Sequence, residues 1–350
     1  DINSQLLEFI RGNVELSVAL GLPDHLGKLG DPSIAASRRE IERASQISAS
    51  IDESLGESFD ERLDLSLIKL YLQQWIAFET LEINGRPRRM QKPAGVDGIS
   101  AGVFQLFVND ERDASARLDN ILTRLELAPD YLREELAIID TPVRRWRDIE
   151  LAQARGLPEL FESIADWARA TDFPRGEELE RAIRQANDAL ENYCQSLESL
   201  PVVEHFAIGR EQMDGLLELK QLGKTPEELR QMAADYMAET HSQLEVLRER
   251  LLKKYALDAD TSLEALHDLL CERYAVPLKD DRLDSVLDHY LAEKDKITAW
   301  NRERQLFPVP EGQDMVIIQT PGFLEPVIPA GAMWPPLALR DGVRKSMVYL

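Results

Sequence analysis

The sequence predicts a mainly α protein, a multi-helix array with a short C-terminal β segment. Three observations lead there. Apolar residues recur at helical spacing through roughly the first 300 residues, with Pro or Gly breaks between the runs. From Phe307 onward that periodicity vanishes and proline becomes frequent, at Pro308, Pro310, Pro321, Pro326, Pro329, Pro335 and Pro336. Two apolar runs, Val316-Ile317-Ile318-Gln319-Thr320 and Ser346-Met347-Val348-Tyr349-Leu350, read as strands around the Pro-rich loop. The predicted division is therefore a helical domain over 1–306 and a Pro-rich loop and β-strand segment over 307–350, the start of an incomplete catalytic domain. Two short strands do not make a stable sheet, so the strands are expected to lack partners within these residues.

The elements follow in order. Leu6, Leu7, Ile10, Val14 and the 16–20 run are helical, stopped by Gly21-Leu22-Pro23. Asp31-Pro32-Ser33 leads into a helix carrying Ile34, Ile41, Ile47, Ile51 and Leu55. The helix over about 60–83 is so apolar, from Leu63 to Phe78, that burial on most sides is expected. Asn84-Gly85-Arg86-Pro87 ends it. The Gly-rich passage from Gly95 to Gly102 reads as a connection into a short helix over 103–108. Further helices are predicted over 114–127, 130–139, 143–155, 158–170 and 177–200, with prolines and glycines marking breaks. An extended piece over 202–209 precedes helices at 210–219, 226–255, 262–274 and 280–304. Thr225-Pro226-Glu227-Glu228 is a start signal, with Thr225 as N-cap, Pro226 at N1 and Glu228 reaching back.

Composition bounds the function. The chain is 350 residues long, 44% hydrophobic and 30% charged, a globular profile rather than a disordered one. A formal charge of −22 argues against a nucleic-acid partner, which needs a dense basic surface. No run reaches the ~18–20 apolar residues of a membrane span. Cys194 and Cys271 are the only cysteines, too few for a disulfide framework. They favour a cytoplasmic setting; a periplasmic one requires that a signal segment has been removed.

Chemistry-bearing motifs are sparse. The five histidines, His25, His205, His241, His267 and His289, include no pair four residues apart, so H-E-x-x-H is absent. His267 and Cys271 are four apart and can meet on a helix, but two ligands do not make a zinc site. No G-x-S-x-G occurs, and the 95–102 passage matches neither a dinucleotide fingerprint nor a phosphate loop. Acidic groups such as Glu177, Glu178 and Glu180, or Asp280, Asp281 and Asp284, follow helix starts, where they suit the macrodipole. No residue of this chain is thereby nominated as catalytic or as a metal ligand.

Several separated stretches, taken in order, resemble one family. They are Leu20-Gly21-Leu22-Pro23 with Asp31-Pro32-Ser33, Arg62-Leu63-Asp64, Gly98-Ile99-Ser100-Ala101-Gly102-Val103-Phe104 and Arg124-Leu125-Glu126. Then come Phe206-Ala207-Ile208-Gly209-Arg210-Glu211, Thr225-Pro226-Glu227-Glu228-Leu229 and the 320–330 passage beginning Thr320-Pro321-Gly322-Phe323-Leu324-Glu325. Their order and spacing are similar to the bacterial family of unknown function designated DUF885, whose members resemble helical, thermolysin-like zinc peptidases. The resemblance implies that these residues are the N-terminal, cleft-forming part of a longer zinc-dependent peptidase, and that the short C-terminal β segment would join a zincin-type sheet. The family's H-E-x-x-P-G-H motif falls downstream of the stretch matching 320–350, so zinc and a peptide substrate are expected of the full-length protein, and this chain alone would be inactive. By place in the chain, Ser346, Met347, Val348 and Tyr349 would lie in or near a substrate-binding strand. The alternative is a complete, non-catalytic helical binding or scaffold protein, in which the same four residues are an interior strand.

Overall fold

Helix boundaries fall where capping chemistry places them. The computed structural model describes residues 2–108, 110, 112–280, 282–308, 313–328, 330–340 and 344–350; Asp281, Pro310 and Pro329 lie outside them. Thr225 Oγ1 accepts from the Glu228 N–H at 3.2 Å while Glu228 Oε2 accepts from the Thr225 N–H at 2.8 Å, the reciprocal box read from sequence. A second box that sequence reading passed over joins Ser58 and Glu61.

Among the described residues there are twelve α-helices and five short strands, a mainly helical protein with its longer strands near the C-terminus. The chain divides into two compact units, residues 1–212 with 309–350, and residues 213–308. The composition change near Phe307 stands beside the point where the chain returns to the first unit.

In the first unit, α1 (Ile2–Gly12), α3 (Ile34–Ser50) and α4 (Phe59–Glu79) close a small core of Phe9, Ala44, Ile47, Ile51 and Leu72. Phe9 meets Trp75 edge-on at 5.3 Å. The expected burial of α4 on most sides is corrected: only Leu72 is fully buried, and Leu63, Leu67, Tyr71 and Phe78 are exposed at helical spacing. Apolar content alone cannot tell a helix packed on one face from a helix packed on all.

The main core belongs to α5 (Gly95–Val108), α6 (Ala114–Ile138), α7 (Arg144–Ala170) and α8 (Gly176–Ser199). Three sequence expectations change here. The Gly-rich passage is not a connection; it is the first half of α5, nearly all of it buried. Glycine costs ~1 kcal/mol in a helix, but here it gives space to neighbours. A Cβ at Gly95 would stand 2.9 Å from Leu132 and 3.0 Å from Tyr193, one at Gly98 would overlap the Tyr131 hydroxyl, and one at Gly102 would overlap the Arg124 guanidinium. Second, 114–127 and 130–139 form one helix with Pro129 inside it, and 143–155 and 158–170 form another containing Pro158. Leu125, Ala128 and Leu132 around the first proline, and Ala154, Leu157 and Phe161 around the second, are core residues. Their burial offsets the lost backbone bond.

The third correction concerns the C-terminal strands. They do not lie unpartnered: β3 (Gln313–Ile318), β4 (Ala332–Trp334) and β5 (Arg344–Tyr349) form one sheet in the order β3-β5-β4. β5 runs parallel to β3 and antiparallel to β4. Met347 and Tyr349 enter the helical core, where Tyr349 lies 5.9 Å from Phe104, and Phe323 meets the same Phe104 edge-on at 5.5 Å. Gly156 of α7 admits this segment, since a Cβ there would come within 2.6 Å of the Phe323 backbone nitrogen.

The N-terminus of α5 is satisfied by carboxylates from the surrounding helices. The Ala94 N–H donates to Glu135 Oε1 at 3.0 Å, the Val96 N–H to Glu150 Oε1 at 2.8 Å, and the Tyr193 hydroxyl to the same Glu150 oxygen at 3.0 Å. Burial pushes the Glu150 carboxyl up to about 7, against the opposing pull of these hydrogen bonds.

The second unit, residues 213–308, holds α10 (Pro226–Tyr255), α11 (Leu263–Tyr274) and α12 (Asp284–Arg304). Arg248 donates to the carbonyls of Ala259 and Thr261, fixing the turn after α10, and the Tyr255 and Tyr274 hydroxyls pair at 2.7 Å.

Two outcomes follow from this packing. Gly98→Ala should lower stability by about 1–3 kcal/mol in urea unfolding, whereas Gly215→Ala, where a Cβ meets nothing within 4 Å, should leave stability unchanged or raise it. Equal effects at the two sites would refute the close-approach account. Glu150 binds its proton more tightly in the folded chain, so its contribution is complete below about pH 4.5 and disappears as pH rises through about 7. The Glu150→Gln chain should therefore match the parent near pH 4.5 and exceed it at about pH 8 by up to about 3 kcal/mol, as read by chemical denaturation at both pH values.

Candidate functional site

The four residues singled out from sequence sit in the centre of the C-terminal sheet. Side chains alternate along β5, with Met347 and Tyr349 buried in the core and Ser346 and Val348 half-buried on the other face. The β5 backbone is engaged on both sides, with Ser346, Met347, Val348 and Tyr349 opposite Met315, Val316, Ile317 and Ile318 of β3, and Met347, Val348 and Tyr349 opposite Trp334, Met333 and Ala332 of β4. Among the described residues the outer strands of the sheet are β3 and β4. The Tyr349 hydroxyl is buried with no hydrogen-bond partner among the described residues, and burial drives its ionisation well above the usual phenol range.

β4 contributes Trp334 to a cavity of about 340 Å³, and four elements converge there. Asn13, Glu15, Leu16, Val18 and Ala19 come from the start and body of α2 (Val14–Leu20), Tyr71 and Trp75 from α4, and Ala101, Gly102 and Gln105 from α5. Helix α2 is set in place by Asn13, whose Oδ1 accepts from the Leu16 N–H at 2.8 Å and whose amide donates to Glu40 at 3.1 Å. The cavity is mostly apolar and aromatic with a few polar groups, the usual composition of a ligand site.

Those polar groups are tightly constrained. Glu15 accepts from the Gly30 N–H at 3.2 Å, and burial raises its carboxyl above the ordinary range despite the nearby charge of Arg124. Arg124 is completely buried; its Nε donates to the Leu26 carbonyl at 2.7 Å, and burial lowers its ionisation in turn. Desolvation outweighs mutual attraction at both groups. Gln105 is buried to 5% exposure, and neither atom of its carboxamide has a partner among the described residues. A second cavity of about 300 Å³ shares Val18 and Gln105 with the first and adds Asp110, Arg112, Leu337 and Arg340. Asp110 there accepts from Arg112 and, at 2.8 Å, from Arg340.

Sequence reading missed Glu15, Gln105, Arg124 and Trp334 as site residues. The available signal was a polar residue inside an apolar helical run: Gln105 stands between Phe104 and Leu106, and Glu15 between Val14 and Leu16. His267 and Cys271 do meet, with Sγ 3.5 Å from Nε2, but the pair is exposed. Among the described residues no three His, Cys, Asp or Glu side chains come together as a set able to hold a metal ion. No helix among them is long and apolar enough to cross a membrane.

A solved structure described as a candidate lipoprotein of unknown function from Shewanella oneidensis shares this fold, with a TM-score of 0.61 and 15% sequence identity. The likeness covers 91% of this chain and 60% of that one, so the present chain matches about three fifths of its neighbour's length. No curated protein matches the chain. A family model covers residues 15–350, and on that match the chain belongs to the family described as Bacterial protein of unknown function (DUF885).

Proposed function

We propose that this chain is the helical, cleft-forming part of a zinc-dependent peptidase whose metal-binding motif lies beyond residue 350. The observation that carries the reading is the aromatic cavity beside β4, an outer strand of the sheet. An extended peptide adds to a sheet edge through main-chain hydrogen bonds and sends alternate side chains into adjoining pockets. In this reading the substrate lies along β4, Trp334, Tyr71 and Trp75 receive an apolar side chain, and Ser346, Met347, Val348 and Tyr349 form the strand behind. The described residues do not assemble a metal-ligand set, so the zinc ligands and the general base are assigned to the remainder of the full-length protein.

One observation agrees with this picture: the solved neighbour is the longer chain, with 60% of its length matched. That neighbour's description as a candidate lipoprotein also suits a setting outside the cytoplasm. The exposed stripe of Leu63, Leu67, Tyr71 and Phe78 on α4 favours the second reading, a non-catalytic binding protein that docks partners through its helices.

The deciding experiment is zinc analysis and a peptide-library digest of the full-length product. The expected result is stoichiometric zinc, cleavage abolished by a chelator, and a Trp334→Ala variant with KM raised about tenfold and kcat little changed. Zinc-free protein that binds peptides without cutting them would establish the binding-protein reading instead.

A further inference from the structure

The first unit holds another cavity, of about 370 Å³, where the start of α5, the first turns of α7 and the 324–327 turn meet. It shares no lining residue with the cavity beside β4. Two charged side chains line it, Lys92 half-buried and Asp97 exposed, so both present accessible surface. Neither side chain makes an ion pair or a hydrogen bond among the described residues. In a chain with 63 acidic and 41 basic residues, a half-buried lysine without a carboxylate partner is an exception. The walls around it are fixed. The Lys92 N–H donates to the Arg88 carbonyl at 2.9 Å, the Val143 N–H to the Gln91 carbonyl at 3.0 Å, and the Val327 N–H to the Leu324 carbonyl at 3.0 Å. Trp146, a further wall, packs on Phe206 with ring centroids 6.4 Å apart.

The lining selects its ligand by charge. Glu150 also lines the cavity and lies close enough to Asp97 to feel its charge; burial pushes the Glu150 carboxyl up to about 7, so below that pH it adds little charge. One cation and one anion remain around a single space. A ligand with one charge answers one of them and leaves the other without a partner, whereas a zwitterion answers both with charge-assisted hydrogen bonds. Trp146, Leu324 and Val327 offer apolar surface to the ligand's body. The volume stands near the lower end of ligand pockets, about 300 Å³, which suits a molecule of amino-acid size rather than a long peptide.

We infer that the cavity between α5, α7 and the 324–327 turn binds a small zwitterion with an apolar side chain, its ammonium group on Asp97 and its carboxylate on Lys92. Two sources present that chemistry, a free α-amino acid and a short peptide with both termini free. The site does not depend on whether the full-length protein cleaves peptides.

Calorimetric titration of the chain at pH 6 tests this with four probes that share one side chain. Leucine and dileucine carry both charges, N-acetylleucine carries only the carboxylate, and leucinamide carries only the ammonium group. Saturable binding of leucine or dileucine, about tenfold or more tighter than of the two singly charged probes, is expected. Tighter binding of leucine identifies a free amino acid as the source, and tighter binding of dileucine a short peptide. Lys92→Met should lower leucine affinity to that of leucinamide while leaving leucinamide unchanged. Asp97→Asn should lower it to that of N-acetylleucine while leaving N-acetylleucine unchanged. Both variants should melt within about 2 °C of the parent; should either not fold, the comparison of probes on the parent chain decides alone. No saturable binding, or equal affinity for all four probes, overturns the inference, and so does a folded Lys92→Met chain that keeps the parent's affinity for leucine.

Discussion

Everything in the larger unit depends on how closely α5 is approached by its neighbours. Three glycines, Gly95, Gly98 and Gly102, leave room on that helix for Tyr193, Tyr131 and the Arg124 guanidinium, each of which would collide with a methyl group. The gain is dense packing of a nearly all-apolar helix against α6, α7 and α2, and native interiors lose stability quickly when such packing is disturbed. The same closeness explains the unusual polar chemistry around α5. Glu135 and Glu150 can reach its N-terminal amides only because the helix sits deep, and depth is what raises the Glu150 carboxyl.

The cavity inherits its rigidity from that arrangement. Gly102 and Gln105 lie on one stretch of α5 and both line the cavity, so this wall is fixed by the close contact between Gly102 and the Arg124 guanidinium. Arg124 in turn holds the Leu26 carbonyl, tying the loop after α2 to α6. The wall supplied by α2 and the wall supplied by α5 are thus joined through one buried guanidinium. A further wall, Trp334, comes from a strand registered against Met347, and Met347 is itself a core residue.

Much of the helical architecture was legible in the sequence, because capping boxes and 3.6-residue periodicity are local signals. The Thr225 box and the helix it opens are the clearest example. What was not legible required tertiary knowledge. Pro129 and Pro158 read as helix ends, yet core burial on both sides carries the helices through. The 95–102 glycines read as a loop, since nothing local distinguishes a turn glycine from one that makes way for a tyrosine. The terminal strands were recognised, but their pairing was not, because β4 is three residues long and hidden among prolines. The run from Ser346 to Tyr349 was legible as a strand, and the cavity beside β4 was not; isolated polar residues in apolar runs become informative only when a helix face is known to be buried.

The order of the two units along the chain has a consequence for biosynthesis. Residues 213–308 are inserted between the parts of the first unit, so the strands that complete its core emerge only after that whole insertion has been made. At ribosomal speeds of about 5–20 residues per second the wait is on the order of 5–20 s. During it Phe104 faces outward without Phe323 or Tyr349 against it. A nascent chain in this state is a natural client for chaperones, and the cavity is closed only after residues 213–308 have been made, when β4 is clamped by β5.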